Sequence, residues 1–168
     1  MLETRTQAIL QPKNLSSGIT KRTRRCIQTF YPFCHLKVIT SDHDLGTSQS
    51  LPGISRGQWV NYSGKAFVWY TTRAQRNIFR IAALVRSVRA DLVYLNGLYS
   101  FLFTILPIIL KATRLISGTL LLAPRGMLKK SALSFKTEKK QLFLRVFQFF
   151  GWHRHVVFQA TDEQERMD

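Results

Sequence analysis

The sequence predicts an α/β fold, a single domain built on a parallel sheet with helices on both faces. Three observations predict it. Strand-like apolar runs alternate with segments of helical period from about residue 15 to the end. Two of the runs, Ala90–Asn96 and Leu120–Ala123, read as buried strands. At 168 residues the chain fits one domain, and no internal repeat divides it. Strands that alternate with helices have to return over the sheet faces, which makes neighbouring strands parallel.

Taken in order, residues 1–14 are weakly patterned. Only Ala8–Ile9–Leu10 offers a first strand, so this stretch reads as a weakly ordered N-terminus or a poor opening strand. The domain is placed at residues 15–168. Leu15–Ser16–Ser17–Gly18 precedes the basic run Lys21–Arg22–Thr23–Arg24–Arg25. A Ser/Gly turn that opens a helix presents backbone N–H groups to an anion. The plainer reading is an N-cap at Ser16 or Ser17.

His35–Thr40 alternates and is rich in β-branched residues, so it reads as a strand. Its exit loop holds Asp42, His43 and Asp44, three side chains of metal-ligand type. No second cluster supports them, and no metal site is assigned. Residues 47–63 read as a long polar loop with Trp59 as a packing anchor. Lys65–Tyr70 is a strand. Thr71–Thr72 then caps a helix to about Arg89, with Ile78, Ile81, Ala82, Leu84, Val85 and Val88 on its inner face.

Ala90–Asn96 is a strand ending in Asn96–Gly97, and Leu98–Ile116 a buried helix interrupted by Pro107. This helix is too short an apolar run to span a bilayer. Ser117–Gly118 starts the strand that stops at Pro124–Arg125–Gly126, where Pro ends ladder donation and Gly frees the turn. Gln141–Phe150 is a helix with Leu142, Val146, Phe147, Phe149 and Phe150 inward, closed by Gly151. Val156–Ala160 is the last strand, flanked by His153 and His155 in structural positions, and Thr161 caps a final helix.

Twenty-five Lys and Arg stand against 9 Asp and Glu, a net charge of +16. Such an excess implies anionic partners: phosphates, nucleic acid or an acidic membrane surface. Cys26 and Cys34 lack His or Cys neighbours at zinc spacing and read as thiols of a reducing compartment. The first ten residues have no apolar signal core, so a cytoplasmic location is expected.

The segment Ala123–Pro124–Arg125–Gly126, Ser131–Ala132–Leu133–Ser134, Lys136 and Lys139–Lys140 resembles one found in bacterial retaining glycosyltransferases of family 4. There the pattern runs approximately APRGEL, GAL, K, KK; Met127 stands where that family usually has Glu. The family's Gly-Gly turn resembles Ser17–Gly18. Its Thr-Asp-x-Asp-Leu-Gly resembles the stretch from Thr40 to Gly46. Its Trp after the glycine-rich turn resembles Trp59. Its Pro-Asp-Val-Val-x-x-Asn resembles Ala90 to Asn96, with Ala90 for Pro. Its Ala-Thr-x-x-Glu resembles the residues from Ala160.

The resemblance implies the N-terminal, acceptor-binding Rossmann-like domain of a GT-B enzyme, half of that fold. It implies transfer of a sugar from a nucleotide donor to a saccharide or lipid-linked acceptor, with retention, in surface polysaccharide synthesis. The donor nucleotide sugar and the paired glutamates belong to a second, C-terminal domain. The chain is accordingly read as a truncated or split form, inactive alone, with no cofactor of its own. Ser17, Gly18, Asn96, Arg125 and Gly126 are the expected cleft residues; no catalytic residue is assigned. Asn96 would bond a sugar hydroxyl or, more plainly, cap the next helix. Arg125 would face solvent as a phosphate fork, unless a carboxylate such as Asp91 holds it. Peripheral attachment to the inner face of the cytoplasmic membrane is expected through the basic charge and the helix at Phe101–Leu110.

The rival reading is a non-catalytic basic protein that holds nucleic acid or anionic lipid through Lys21–Arg25 and the lysines after Arg125. No recognised nucleic-acid motif accompanies those residues.

Overall fold

The computed structural model describes residues 5–10, 34–43, 49–125, 127 and 137–160. Among them seven strands form one sheet: β1 (Arg5–Leu10), β2 (Cys34–Ser41), β3 (Trp59–Tyr62), β4 (Ala66–Thr71), β5 (Leu92–Asn96), β6 (Thr119–Ala123) and β7 (Val157–Phe158). Three α-helices are described: α1 (Ile78–Val88), α2 (Leu106–Ala112) and α3 (Thr137–Phe149). The strand order is β3-β4-β2-β1-β5-β6-β7, and all pairs are parallel except β3 on β4. The parallel strands therefore start in the middle with β1, grow outward through β2 and β4, then reverse to β5, β6 and β7. This order is compatible with a Rossmann-like fold, and it reverses between β1 and β5.

The weak opening segment is thus the centre of the sheet. Ala8, Ile9 and Leu10 are buried because β2 and β5 flank them and both faces are covered. Three apolar residues suffice where the neighbours supply the rest, so tertiary context overrides a poor local pattern.

Alternation along the strands divides the core. Ala8, Leu10, Ile39, Val93, Leu95, Leu120 and Leu122 share one face with Ile81, Val85 and Val88 of α1, Leu106, Ile108 and Leu110 of α2, and Phe147 of α3. The other face holds Ile9, Leu36, Val38, Ala66, Val68 and Tyr70, packed against Leu51, Ile54 and Tyr62. Right-handed crossovers explain the division. The β4–β5, β5–β6 and β6–β7 connections all step the same way along the sheet, so their helices fall on the same side. The β2–β4 connection steps the other way and covers the opposite side. The connection between β1 and β2, with the predicted turn at Ser17–Gly18 and its helix, lies outside the described residues.

Three local readings change. The stretch Trp59–Tyr62 is a strand, not loop: it pairs antiparallel with β4 through a turn in which Lys65 N–H donates to the Tyr62 carbonyl at 3.0 Å. Ser63 and Gly64 are both left-handed, the geometry that matches hairpin twist. The cap of α1 is Asn77, whose Oδ1 accepts from Arg80 N–H at 2.8 Å. Thr71 is unavailable because it is buried in β4 and its hydroxyl donates to the Thr40 carbonyl at 2.7 Å. Helix α3 keeps only one of its predicted inward residues: Phe147 is buried as expected, with Phe143 and Leu144 partly so, while Leu142, Val146, Phe149 and Phe150 are exposed. Its sequence is apolar at both phases, so period alone does not choose.

The helix after β5 begins as a π-helical turn, Phe101–Ile105, before α2. Ile105 N–H reaches back five residues to the Ser100 carbonyl at 3.1 Å. Pro107 accounts for the widening: it lacks an N–H, and its ring clashes with the carbonyl four residues earlier in a regular turn. Phe103, Ile105, Leu106, Ile108 and Leu110 of this helix are buried. Phe101, at its start, remains exposed. Among the described residues no helix is long and apolar enough to cross a membrane.

Gly118 tests this packing. A Cβ there would lie 2.1 Å from the Ala90 carbonyl oxygen, a backbone atom that cannot swing away. Gly118→Ala should destabilise the domain at or above the upper end of the about 1–3 kcal/mol that overpacking costs. A urea melt of the two proteins measures it.

Candidate functional site

Among the described residues, the polar ones that the fold buries are Thr40, Ser41, Asp42, His43, Thr71, Asn96 and Thr104. All lie at or beside the carboxyl ends of the parallel strands: β2 supplies the first four, β4 Thr71 and β5 Asn96. Thr104 joins them by donating to the Gly97 carbonyl at 2.7 Å. Burying a polar group without compensation is costly, so such groups gather where bonds or ligands satisfy them. In open α/β sheets this is also the edge where ligands bind.

Asn96 ends β5 beside the order reversal. Its register partner is Ala123, which begins the Ala123–Pro124–Arg125 exit of β6. Two segments far apart in sequence thus end side by side. Gly97 follows with φ +104°, open to glycine and strained for other residues, and its N–H donates to the Ala123 carbonyl at 3.0 Å. The helix cap assigned as the plainer role of Asn96 belongs instead to Ser100, whose Oγ accepts from Phe103 N–H at 3.3 Å.

Met127 closes over this turn. Leu98 N–H points at its Sδ at 3.4 Å, and Tyr99 O–H donates to its carbonyl at 3.3 Å. Tyr99 in turn packs edge-on against Phe143 of α3, 5.1 Å between centroids. The side chain that replaces the resembled family's Glu therefore holds the β5 exit by a soft thioether contact.

Arg125 corrects one expectation. It is half-buried, with Nε and one terminal nitrogen withdrawn from solvent, so it does not simply face water. It does not pair with Asp91 either. Asp91 lies just before β5, at the opposite end of the sheet, where it accepts from Thr6 N–H at 2.8 Å. Ser17, Gly18 and Gly126 lie outside the described residues, so of the predicted cleft residues the structure brings together Asn96 and Arg125.

Two parts of this edge read differently from the sequence alone. Asp42 is buried, shares a short hydrogen bond with His43 Nδ1, and meets Arg56 Nε at 3.2 Å. Arg56 also donates to the Leu51 carbonyl at 2.7 Å, fixing the chain beyond β2. The Asp-His pair is thus engaged in structure; Asp44 lies outside the described residues. Among the described residues no group of three His, Cys, Asp or Glu side chains could hold a metal ion. The second part is a cavity of about 450 Å³ bounded by Arg73 and Arg76 on one side and Tyr99, Ser100, Phe101, Leu102 and Phe103 on the other. The run of arginines from Arg73 was the available signal, read as a solvated helix face. Trp59 is a packing anchor: it meets Trp69 edge-on at 5.5 Å, under Lys37.

Comparison with protein-family models, curated proteins and solved structures found no match.

Two outcomes follow from this geometry. Arg125→Ala should lower the unfolding free energy by about 1–2 kcal/mol, above the roughly 0.5 kcal/mol usual at surface sites; a urea melt reads the difference. Burial raises the phenol of Tyr99 above its ordinary value of 10.0, and that of Tyr70 too, with help from Tyr62. A raised folded value means that stability is intact below about pH 10 and is lost as pH climbs through it. Tyr99→Phe should reduce that alkaline loss, measured by urea melts at about pH 8 and about pH 11.

Proposed function

We propose that this chain is the acceptor-binding domain of a retaining, nucleotide-sugar-dependent glycosyltransferase. One observation carries the reading. The two segments with the strongest family likeness, Ala90–Asn96 and the stretch from Ala123, lie on adjacent strands and end together at the carboxyl edge, beside the order reversal. That edge is where an acceptor has to sit if a second domain is to close over it. The core architecture, a Rossmann-like parallel sheet, supports the same reading.

The chemistry of the edge suits positioning. Asn96 offers a carboxamide, which can both donate to and accept from a sugar hydroxyl. Arg125 offers a planar fork for a phosphate or carboxylate on the acceptor. Gly97 lies beside the Met127 side chain, and its φ of +104°, not lack of space, is what disfavours a residue with a Cβ there. Donor binding and the glycosyl transfer itself belong, in this reading, to a separate C-terminal domain with the nucleotide sugar. The acceptor is a saccharide, free or lipid-linked.

The isolated chain tests this. Titration with short oligosaccharides should shift the backbone amide signals of Asn96–Leu98 and Ala123–Met127 in an NMR spectrum, and Asn96→Ala should weaken binding about tenfold, the loss of one or two hydrogen bonds. Shifts confined to other surfaces, or none across a panel of neutral and acidic oligosaccharides, would count against it.

A further inference from the structure

The cavity bounded by Arg73 and Arg76 has no role in the reading above beyond its place on the same edge. Arg76 is half-buried, and its Nη1 reaches Ser41 Oγ at 3.5 Å, which turns its guanidinium toward the end of β2. Arg73 is exposed on the same wall. Among the described residues opposing charge is scarce here. Between Gly46 and Thr137 the sequence has one acidic residue, Asp91, and Asp91 lies at the other end of the sheet. Asp42 is already engaged with His43 and Arg56. Neither α1 nor the π-helical turn carries an acid in its first turn, and Arg80 adds a further cation to α1. The opposite wall is largely apolar and aromatic, formed by Tyr99, Phe101, Leu102 and Phe103.

We propose that this cavity binds a phosphate group, the charged end of a phosphate ester whose organic part lies against Phe101 and Leu102. Two guanidinium forks suit the tetrahedral oxygens, each able to donate two parallel hydrogen bonds. The apolar wall favours an ester over the free ion, since it removes carbon surface from water while the charge stays on the arginines. The inference deepens the acceptor reading, on which it rests for its biological context: the phosphate would be the anionic end of that acceptor.

The test uses the full chain with inorganic phosphate and with phenyl phosphate as probes, titrated by calorimetry at constant ionic strength set with chloride. Both probes should bind saturably, phenyl phosphate about tenfold tighter than phosphate, as burial of a ring predicts. Arg73→Gln with Arg76→Gln should weaken both at least about tenfold. Arg86→Gln with Arg89→Gln, exposed arginines at the far end of α1 that line a separate cavity, should leave binding unchanged. Should the double variant lose its fold through the Ser41 contact, Arg73→Gln alone should still weaken binding about threefold, since Arg73 is exposed. Binding that does not saturate, that chloride matches, or that both arginine pairs weaken equally would overturn the site. The oligosaccharide titration is read separately: shifts at Asn96 without phosphate binding sink this inference alone, and phosphate binding without those shifts sinks the acceptor reading alone.

Discussion

The dryness of the central strands constrains everything else in this molecule. Strands β1, β2 and β5 have neighbours on both sides and cover on both faces, so Leu10, Val38, Ile39 and Leu95 are completely shut from solvent. A polar side chain cannot sit in the body of such a strand without a partner. Polar residues are pushed to the strand ends. At the amino edge, Asp91 serves the backbone by accepting from Thr6 N–H. At the carboxyl edge they accumulate, from Thr40 to His43, Thr71 and Asn96. The candidate site is therefore a consequence of how the core is built as well as of where the topology reverses.

The same edge is tied together mostly by contacts between exits of neighbouring strands. Thr71 bonds across to Thr40, Asp42 N–H to Thr71, and Gly97 N–H to Ala123. Met127 and Tyr99 extend the tie from the β6 exit to the β5 exit and on to Phe143 of α3. The π-helical turn at Phe101–Ile105 belongs to this arrangement. Pro107 forces a wide turn, and Thr104 within that turn bonds back to the Gly97 carbonyl. A sequence feature that would break a regular helix is absorbed by a local change of winding, close to the proposed ligand site.

Much of the sheet was legible because buried parallel strands announce themselves by composition. Leu92–Asn96 and Leu120–Ala123 lie where the apolar runs put them. The central strand β1 was nearly illegible, because its burial comes from its neighbours and not from its own pattern. The hairpin strand β3 was hidden by the polar residues around it, though Ser63–Gly64 was a usable turn signal. In α3 the pattern named a helix but not its inner face, since Phe143–Phe147 and Leu142–Val146–Phe149 are both apolar stripes at helical spacing. Of the site, Asn96 and Arg125 were legible from strand ends. The cavity at Arg73 and Arg76 was not, because a solvated arginine and a ligand-facing arginine read alike until the opposite wall is in place.

The backbone at Arg125 bears on what that residue is for. Among the described residues Ser63, Arg89, Arg114 and Arg125 adopt left-handed φ without being glycine. A left-handed conformation costs a residue with a Cβ roughly 1–2 kcal/mol, and glycine avoids most of that. Ser63 sits in a tight hairpin turn, where short polar residues tolerate the strain. Arg89 and Arg114 end helices, where a left-handed cap is common and a cation suits the exposed carbonyls. Arg125 follows β6 in a tight turn closed by Met127 N–H donating to the Pro124 carbonyl at 3.3 Å, at an edge where the neighbouring exit uses Gly97 for its own turn. Glycine would serve the backbone there better than arginine does. What arginine adds is a guanidinium drawn partly out of solvent, at the edge that carries the fold's buried polar groups. The β6 exit thus places backbone strain and a partly withdrawn guanidinium at one position, on the edge where the fold gathers its buried polar groups.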